Sequence, residues 1–249
     1  MTPTDIEVAE LFHENTKITP FENGDEIASL PEPLERGISL ARIALPRVGS
    51  VNQVTLEDAL CRRVTNRAFN PAAAMPLETL SRLLAFSAGF TAVAGPEAGG
   101  AFQFHRATPS AGASFPLEVY PILFRVQGAE AGAYRYEPAD HSITLLRAGW
   151  FHKQLAAWTL HQPYVGDTNV VFVVAGFPER VRPRYGERGY RYMLLEAGHI
   201  GQNLSLLAAA YGLGSLCIGG FVDMAVSRLI GLNEITEIPL YLVAAGILR

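Results

Sequence analysis

The chain contains little cysteine and no excess of positive charge. Its two cysteines, Cys61 and Cys217, form neither a CxxC pair nor a disulfide framework. We therefore interpret both as core residues. The formal net charge of −4 provides no basic surface, which argues against a nucleic-acid partner.

Signals for export or membrane insertion are also missing. The N-terminus, MTPTDIEVAE, is acidic and lacks the apolar core of a signal peptide. The longest apolar region, residues 193–222, is interrupted by Glu196, His199, Gln202 and Asn203, which argues against a membrane span. We therefore expect a cytoplasmic protein with no membrane partner.

Three common catalytic signatures are absent. No G-x-S-x-G elbow is present, which argues against a serine hydrolase. The segment Gly212-Leu-Gly-Ser follows a predicted helix and lacks a third spaced glycine, so it is not a dinucleotide fingerprint. The histidines between residues 105 and 199 form no HExxH motif and no i, i+4 pair, so we expect no metal site.

The composition indicates a single globular domain. The 249 residues are 49% hydrophobic and 18% charged, enough to form a sizeable core and to bury surface against a partner. Prolines interrupt residues 1–50, which we predict to be an N-terminal arm with one short helix. The domain proper is expected over residues 51–249.

Local patterns predict a mixture of helices and strands. Helical spacing favours LEDALCRR after a Thr55 cap, PLETLSRLLAFSAG, FHKQLAAWTL and a helix that Asp223 caps and that ends near Gly231. β-Branched and aromatic residues favour strands at EVYPILFRV, NVVFVVAGF and PLYLVAAGIL, and a hairpin that turns at Pro138-Ala-Asp. Residues 91–101 are small and predict a loop. This mixture predicts an α+β fold.

The most informative segment covers residues 184–221. It reads as an apolar helix with four polar side chains in its body, a stop at Gly212, and a short strand that leads to Gly219-Gly220. An unpaired buried polar side chain costs roughly 1–3 kcal/mol, so these side chains either form a satisfied network or face a ligand. Tandem glycines let the backbone approach a flat cofactor, which favours a ligand site.

Two further segments are candidates for binding. Arg63, Thr65 and Arg67 alternate, so in an extended segment they point to one surface, where two guanidinium groups suit a phosphate. A solvated basic edge is the alternative. The second segment, residues 109–116, is a run of small residues between two prolines that exposes main-chain N–H groups beside Ser110. A plain turn is the alternative there.

Five motifs in order resemble the SagB-type dehydrogenases of the nitroreductase superfamily. They are the Arg63–Arg67 motif, PSAGAxxPLE, YGERGYRxxxxEAGHxxQNL, GLGxxxxGGFxD and the closing PLYLVxxG. The resemblance implies an α+β fold with a central, mostly antiparallel sheet flanked by helices. It also implies a homodimer with FMN in each of two interface clefts, and oxidation of azoline rings (thiazoline or oxazoline) in peptides to thiazoles or oxazoles.

The same resemblance assigns the cofactor site. Arg63, Thr65 and Arg67 would hold the FMN phosphate and the polar edge of the isoalloxazine. Gly219 and Gly220 would present backbone N–H groups toward flavin N5. The residues expected to line the flavin are Pro109, Ser110, Ala111 and Gly112.

The resemblance also points to the catalytic residues. Relatives carry a Lys-Tyr pair where this chain has Arg184-Tyr185. A guanidinium stays protonated in proteins and cannot serve as a base, but its charge would stabilise a phenolate at Tyr185. Tyr185 is therefore the candidate general base. His199 is the alternate, with a structural hydrogen-bonding role equally open.

The expected reaction removes a proton from one ring carbon and transfers hydride from its neighbour to the flavin, which dioxygen reoxidises. Two rivals stay open: a NAD(P)H-dependent reductase of nitro compounds or quinones, and a non-catalytic scaffold of a biosynthetic complex. No recognisable leader-peptide-binding segment precedes the motifs. The substrate is therefore expected to be peptidic or carrier-bound and delivered by a partner such as a cyclodehydratase or a synthetase, or else to be non-peptidic.

Overall fold

The computed structural model describes residues 8–22, 25–26, 30–34, 41–49, 54–94 and 103–249. Its strands are β1 (Phe21–Glu22), β2 (Asp25–Glu26), β3 (Arg42–Ala44), β4 (Phe90–Ala94), β5 (Gln103–Arg106), β6 (Leu117–Leu123), β7 (Gly132–Glu137), β8 (Ser142–Ala148), β9 (Val170–Gly176), β10 (Gly214–Ile218) and β11 (Ile238–Gly246). Seven of these form one sheet in the order β10-β11-β9-β6-β7-β8-β3, and each neighbouring pair is antiparallel.

Helices cover both faces of this sheet. They are α1 (Val8–Thr16), α2 (Leu56–Arg62), α3 (Leu77–Ala88), α4 (His152–Trp158), α5 (Arg182–Tyr185), α6 (Arg188–Ala210) and α7 (Asp223–Ile230). The long helix α6 packs on β10 and β11 and contacts α2 and α3. Within the described ranges, no helix has the length and apolar character needed to cross a membrane.

Strand β9 shows why two cores form. All seven of its residues are buried, and alternate side chains of a strand point to opposite faces. Phe172 therefore joins the core beneath α3 and α6, whereas Val173 joins the core that contains Trp158 and α7. The predicted α+β fold with an antiparallel sheet flanked by helices is confirmed.

Several local predictions are confirmed by hydrogen bonds, strand pairing and backbone angles in the structure. Helix α2 begins after Thr55, whose hydroxyl accepts the N–H of Asp58 at 3.1 Å, as an N-cap should. Strands β7 and β8 pair on either side of the predicted turn. Helix α7 ends at Gly231, which has φ +72° and stops the helix in the left-handed conformation that glycine tolerates. The short helix expected in the N-terminal arm is α1.

Three local predictions are wrong. Asp223 does not cap α7, because its carboxylate accepts the N–H of Ile18 at 3.0 Å and ties the arm to the domain instead. The first part of the predicted loop 91–101 belongs to β4, which pairs with β5. Residues 95–101 lie outside the described residues. Cys61 and Cys217 are exposed; the second lies on β10, the edge strand of the seven-stranded sheet.

Candidate functional site

Three of the predicted site segments lie at one end of the central sheet. Leu117, which begins β6, pairs with Gly176, which ends β9, and Gly176 also pairs with the start of β11. β10 runs antiparallel to β11 and ends at Ile218 near the same level. The loop before β6, the turn after β9 and the glycines after β10 therefore share this end.

The Arg63–Arg67 segment runs along the outer side of β10. Thr65 forms a parallel bridge with Ser215, and the Asn66 N–H donates to the Ser215 carbonyl at 2.9 Å. After this bridge the chain continues past the Gly214 end of β10, where Phe69 bridges Leu248 and the Asn70 N–H donates to the Ile247 carbonyl. The predicted phosphate-binding segment therefore lies along β10 toward Gly214, whereas Gly219-Gly220 follow the other end of the same strand.

The side chains of this segment are accessible. Arg63 is half-buried, and Thr65 and Arg67 are exposed. The Arg67 guanidinium carbon lies 5.6 Å from the centre of the Tyr164 ring, a distance at which a cation is attracted by the ring face. An anion can therefore reach all three predicted phosphate-binding residues from solvent.

The loop between Pro109 and Pro116 has an unusual backbone. Ala113 and Phe115 have φ +54° and +44°, a region that non-glycine residues enter at a cost of roughly 1–3 kcal/mol each. The Ser110 hydroxyl accepts the Phe115 N–H at 2.9 Å and helps to hold this conformation. Such strain concentrates at functional sites, which favours a binding role over a plain turn.

Gly112 is where two predicted groups meet. Arg184 donates from Nη1 to the Gly112 carbonyl at 3.1 Å. A Cβ at Gly112 would collide with both the Arg184 guanidinium and the Tyr185 hydroxyl, and φ at this residue is +55°. The structure therefore brings Arg184 and Tyr185 against the predicted flavin-facing loop.

Tyr185 is held by its neighbours. Its ring meets that of Tyr192 edge-on, with centroids 5.0 Å apart and planes at 87°, a favourable aromatic geometry. The Arg184 guanidinium carbon lies 5.4 Å from the Tyr185 ring centre. The phenol therefore has a fixed orientation and a permanent positive charge beside it.

A cleft of about 680 Å³ opens beside this loop. Its lining includes Ser110, Gly112 and Phe115 of the loop, together with Arg106 and Arg184. Two guanidinium groups and no carboxylate line the described part of the cleft, so its electrostatic character suits a ligand with anionic or electron-rich edges.

The two glycines after β10 differ in their surroundings. A Cβ at Gly219 would have open space around it, whereas a Cβ at Gly220 would lie 2.9 Å from Leu160 Cδ1. The backbone at Gly219 is therefore accessible to a flat ligand, and Leu160 excludes a larger residue at Gly220. Both observations fit the predicted approach of a flavin.

The polar residues of α6 divide into two groups. Glu196 is buried, and Asn203, which is half-buried, donates to the Thr108 hydroxyl at 3.1 Å. His199 and Gln202 are exposed, and neither lines the described part of the cleft. The helix therefore contributes to a polar network on one side and leaves the candidate His199 on its outer surface.

Two residues behind the loop received no role from the sequence. Arg106 stacks between Phe90 and Phe115, with its guanidinium carbon 5.2 Å and 4.6 Å from the ring centres. Burial raises the pKa of the Glu196 carboxyl to about 7, with partial compensation from Ser110 and Arg106. Glu196 was one of the four polar residues of α6 that the sequence singled out, whereas Arg106 gave no sequence signal of its own. No three His, Cys, Asp or Glu side chains in the described ranges come together as a metal site.

Sequence comparisons identify relatives of this chain. The profile of the Nitroreductase family matches residues 60–247. A protein of Methanocaldococcus jannaschii that carries the name nitroreductase is 33% identical over 196 residues, which cover 79% of this chain and 92% of that protein. The microcin B17-processing protein of Escherichia coli is 25% identical over 173 residues, which cover 67% of this chain and 60% of that protein.

Solved structures share the fold. A nitroreductase-type crystal structure from Ralstonia eutropha superposes with a TM-score of 0.70 at 26% identity, covering 89% of this chain and 96% of the other. The Escherichia coli microcin synthetase complex with truncated pro-MccB17 bound gives 0.61 at 20%, covering 100% and 85%. A Desulfovibrio desulfuricans structure in complex with FMN gives 0.53 at 18%, covering 79% and 88%.

Proposed function

The chain belongs to the nitroreductase family, and from this premise we propose that it is an FMN-dependent oxidase that converts azoline rings to azoles with dioxygen as final acceptor. The observation that carries the proposal is the meeting of Arg184 and Tyr185 at Gly112, on the edge of the cleft. A positioned phenol beside a fixed cation is suited to removing a proton from a bound substrate. A reductase that takes hydride from a nicotinamide needs no such base.

FMN is the cofactor, as expected from the sequence and as found in the Desulfovibrio relative. Arg63 and Arg67 would hold its phosphate, because guanidinium groups donate paired hydrogen bonds to phosphate oxygens. Gly219 would let the backbone approach the flavin ring. When bound, FMN supplies the acceptor for the hydride that leaves the substrate.

The protein's own part in the reaction is acid-base chemistry and positioning. Tyr185, beside the Arg184 guanidinium, would act as the base that takes the proton from the ring carbon next to the one that loses hydride. The contact with Tyr192 keeps the phenol in place. His199 is exposed on α6 and does not line the described part of the cleft, so it stays the alternate base.

A homodimer is part of the proposal. Leu56 and Leu60 on α2 and Leu195 on α6 are 62%, 51% and 57% exposed, and these two helices pack against each other. Apolar side chains grouped in this way mark a protein interface. This surface adjoins the Arg63–Arg67 segment, so a second chain would cover FMN bound there.

The substrate class rests on the named relatives. The Escherichia coli relative processes microcin B17, and two further relatives from Rhizobium leguminosarum are a trifolitoxin operon protein and a trifolitoxin-processing protein. We therefore propose a peptide or carrier-bound azoline as substrate and a cyclodehydratase or synthetase as partner. The cleft, about 680 Å³ in volume, is within the range for a bound ring and its flanking residues.

We expect the purified protein to be a yellow homodimer with one FMN per chain, because the exposed apolar surface and the cofactor segments adjoin. Gel filtration with multi-angle scattering gives the mass, and the absorbance near 450 nm gives the flavin content. A colourless monomer that takes up no FMN on incubation contradicts the proposal and favours a scaffold role.

The second candidate is a NAD(P)H-dependent reductase, which the name of the Methanocaldococcus relative favours. We expect NADH and NADPH to reduce the bound flavin slowly or not at all, because the chain has no dinucleotide fingerprint. Anaerobic mixing with either nucleotide, followed at 450 nm, measures this rate. Bleaching within seconds at micromolar nucleotide selects the reductase.

A further inference from the structure

The buried carboxyl of Glu196 lies behind the loop that faces the cleft. Glu196 is 4% exposed, and its Oε2 atom is buried with no hydrogen-bond partner in the described ranges. Burial raises the pKa of this carboxyl, and the Ser110 side chain and the charge of Arg106 lower it in part. Asn203, two turns further along the same face of α6, donates to the Thr108 hydroxyl at 3.1 Å, so this face of the helix meets the start of the loop. A buried acidic group on a helix has no packing advantage over an apolar residue, so its presence calls for another role.

The Ser110 side chain links Glu196 to the backbone of the loop. This side chain lies close enough to act on the Glu196 carboxyl, and its hydroxyl accepts the Phe115 N–H at 2.9 Å. Phe115 has φ +44°, and its ring stacks on the Arg106 guanidinium. These residues form one cluster beside Glu196 that determines where the loop presents Ser110 and Gly112.

We propose that Glu196 is the positioning residue of the Pro109–Pro116 loop, acting through the Ser110 hydroxyl to hold the loop ready for the flavin. The inference rests on the proposed function, because it assumes that this loop meets FMN. Glu196 itself lies behind Ser110 and does not line the described part of the cleft. Its effect on the cofactor is therefore indirect.

The proposal also predicts a pH dependence. The charge of Arg106, on β5, acts on the Glu196 carboxyl. The Arg106 guanidinium interacts in turn with the charges of three further side chains, Tyr136, Arg180 and Glu118. Because the carboxyl titrates at about pH 7, both of its forms are populated near neutrality. The ionised form accepts a charge-assisted hydrogen bond, roughly twice as strong as a neutral one, so it holds Ser110 more firmly. FMN affinity should therefore rise as the pH passes upward through about 7.

The test is a double-mutant cycle on FMN affinity, measured by titrating the flavin-free protein at pH 8. Glu196→Leu and Ser110→Ala should each weaken binding by about 10-fold or more, the range for a lost charge-assisted hydrogen bond. In combination they should weaken it little beyond either alone, because they remove the same link. Fully multiplicative effects overturn the proposal. Ser205→Ala, a buried α6 position whose hydroxyl bonds to the Gly201 carbonyl, is the control and should leave affinity unchanged.

Glu196→Gln provides a second measurement that does not depend on a disruptive change. The glutamine keeps the volume and an acceptor for Ser110 but does not titrate. Between pH 6 and pH 8, the FMN affinity of the parent should rise by about 5- to 10-fold more than the FMN affinity of Glu196→Gln. The FMN phosphate titrates equally in both proteins, so the ratio reports Glu196. Superimposed profiles, or the opposite slope, overturn the proposal. A parent that binds no FMN at any pH instead overturns the proposed function.

Discussion

Tyr185→Phe is expected to lower turnover of an azoline substrate by roughly 10²–10⁴-fold, the range for a positioned acid or base. The Tyr185 hydroxyl lies against Gly112 on the edge of the cleft, so its loss removes the proposed base from the site. The ring keeps its edge-on contact with Tyr192. FMN content and thermal stability should therefore stay near those of the parent. Steady-state rates at equal flavin loading measure the effect.

Two variants control this experiment. Tyr192→Phe removes a hydroxyl from the neighbouring ring and should leave turnover within about twofold of the parent's. Substitutions that remove no core packing and no buried hydrogen bond usually have small effects. His199→Asn tests the alternate base. If His199→Asn abolishes turnover at full FMN loading while Tyr185→Phe stays active, the base is His199.

Arg63→Ala and Arg67→Ala are each expected to weaken FMN binding by about 10- to 150-fold. A charge-assisted hydrogen bond contributes roughly 1.5–3 kcal/mol, and each 1.4 kcal/mol is a factor of ten in affinity. The guanidinium groups lie on an accessible edge beside β10, so their loss should change the stability of the flavin-free protein little. Arg67→Ala should lower the stability more than Arg63→Ala does, because it also removes the contact with Tyr164.

Arg62→Ala is the matched control for these variants. Arg62 carries the same charge in the last turn of α2, one residue before the extended segment. A uniform loss of affinity in all three variants would indicate a general charge effect rather than a phosphate site. Retention of FMN through dialysis by both Arg63→Ala and Arg67→Ala contradicts the assignment.

Local signals in the sequence were sufficient for much of the fold. The Thr55 cap, the β7–β8 hairpin and the buried strand β9 depend on residues within a few positions of each other. The predicted residues of the loop and of α5 were also the ones that meet in space. The sequence could not show that they meet, because the contact between Arg184 and Gly112 joins residues far apart in the chain.

The predictions that were wrong or absent share a similar origin. Asp223 has the residue type of a helix cap, but a distant N–H from Ile18 competes for its carboxylate. The apolar character of Cys217 suggested burial, whereas strand order places it at a sheet edge. Arg106 gave no pattern of its own. Its role depends on the rings of Phe90 and Phe115, which lie on either side of it in the sequence and contact it only in the folded chain. Tertiary placement decided each of these cases.

The strand order has a consequence for how the protein assembles. β11 lies between β10 and β9, although it follows both in the chain. The edge that carries Gly219-Gly220 and the Thr65 bridge therefore joins the sheet only through residues 238–246. Such non-local pairing raises the contact order and slows folding. A nascent chain would present β9 with an open side until β11 pairs with it.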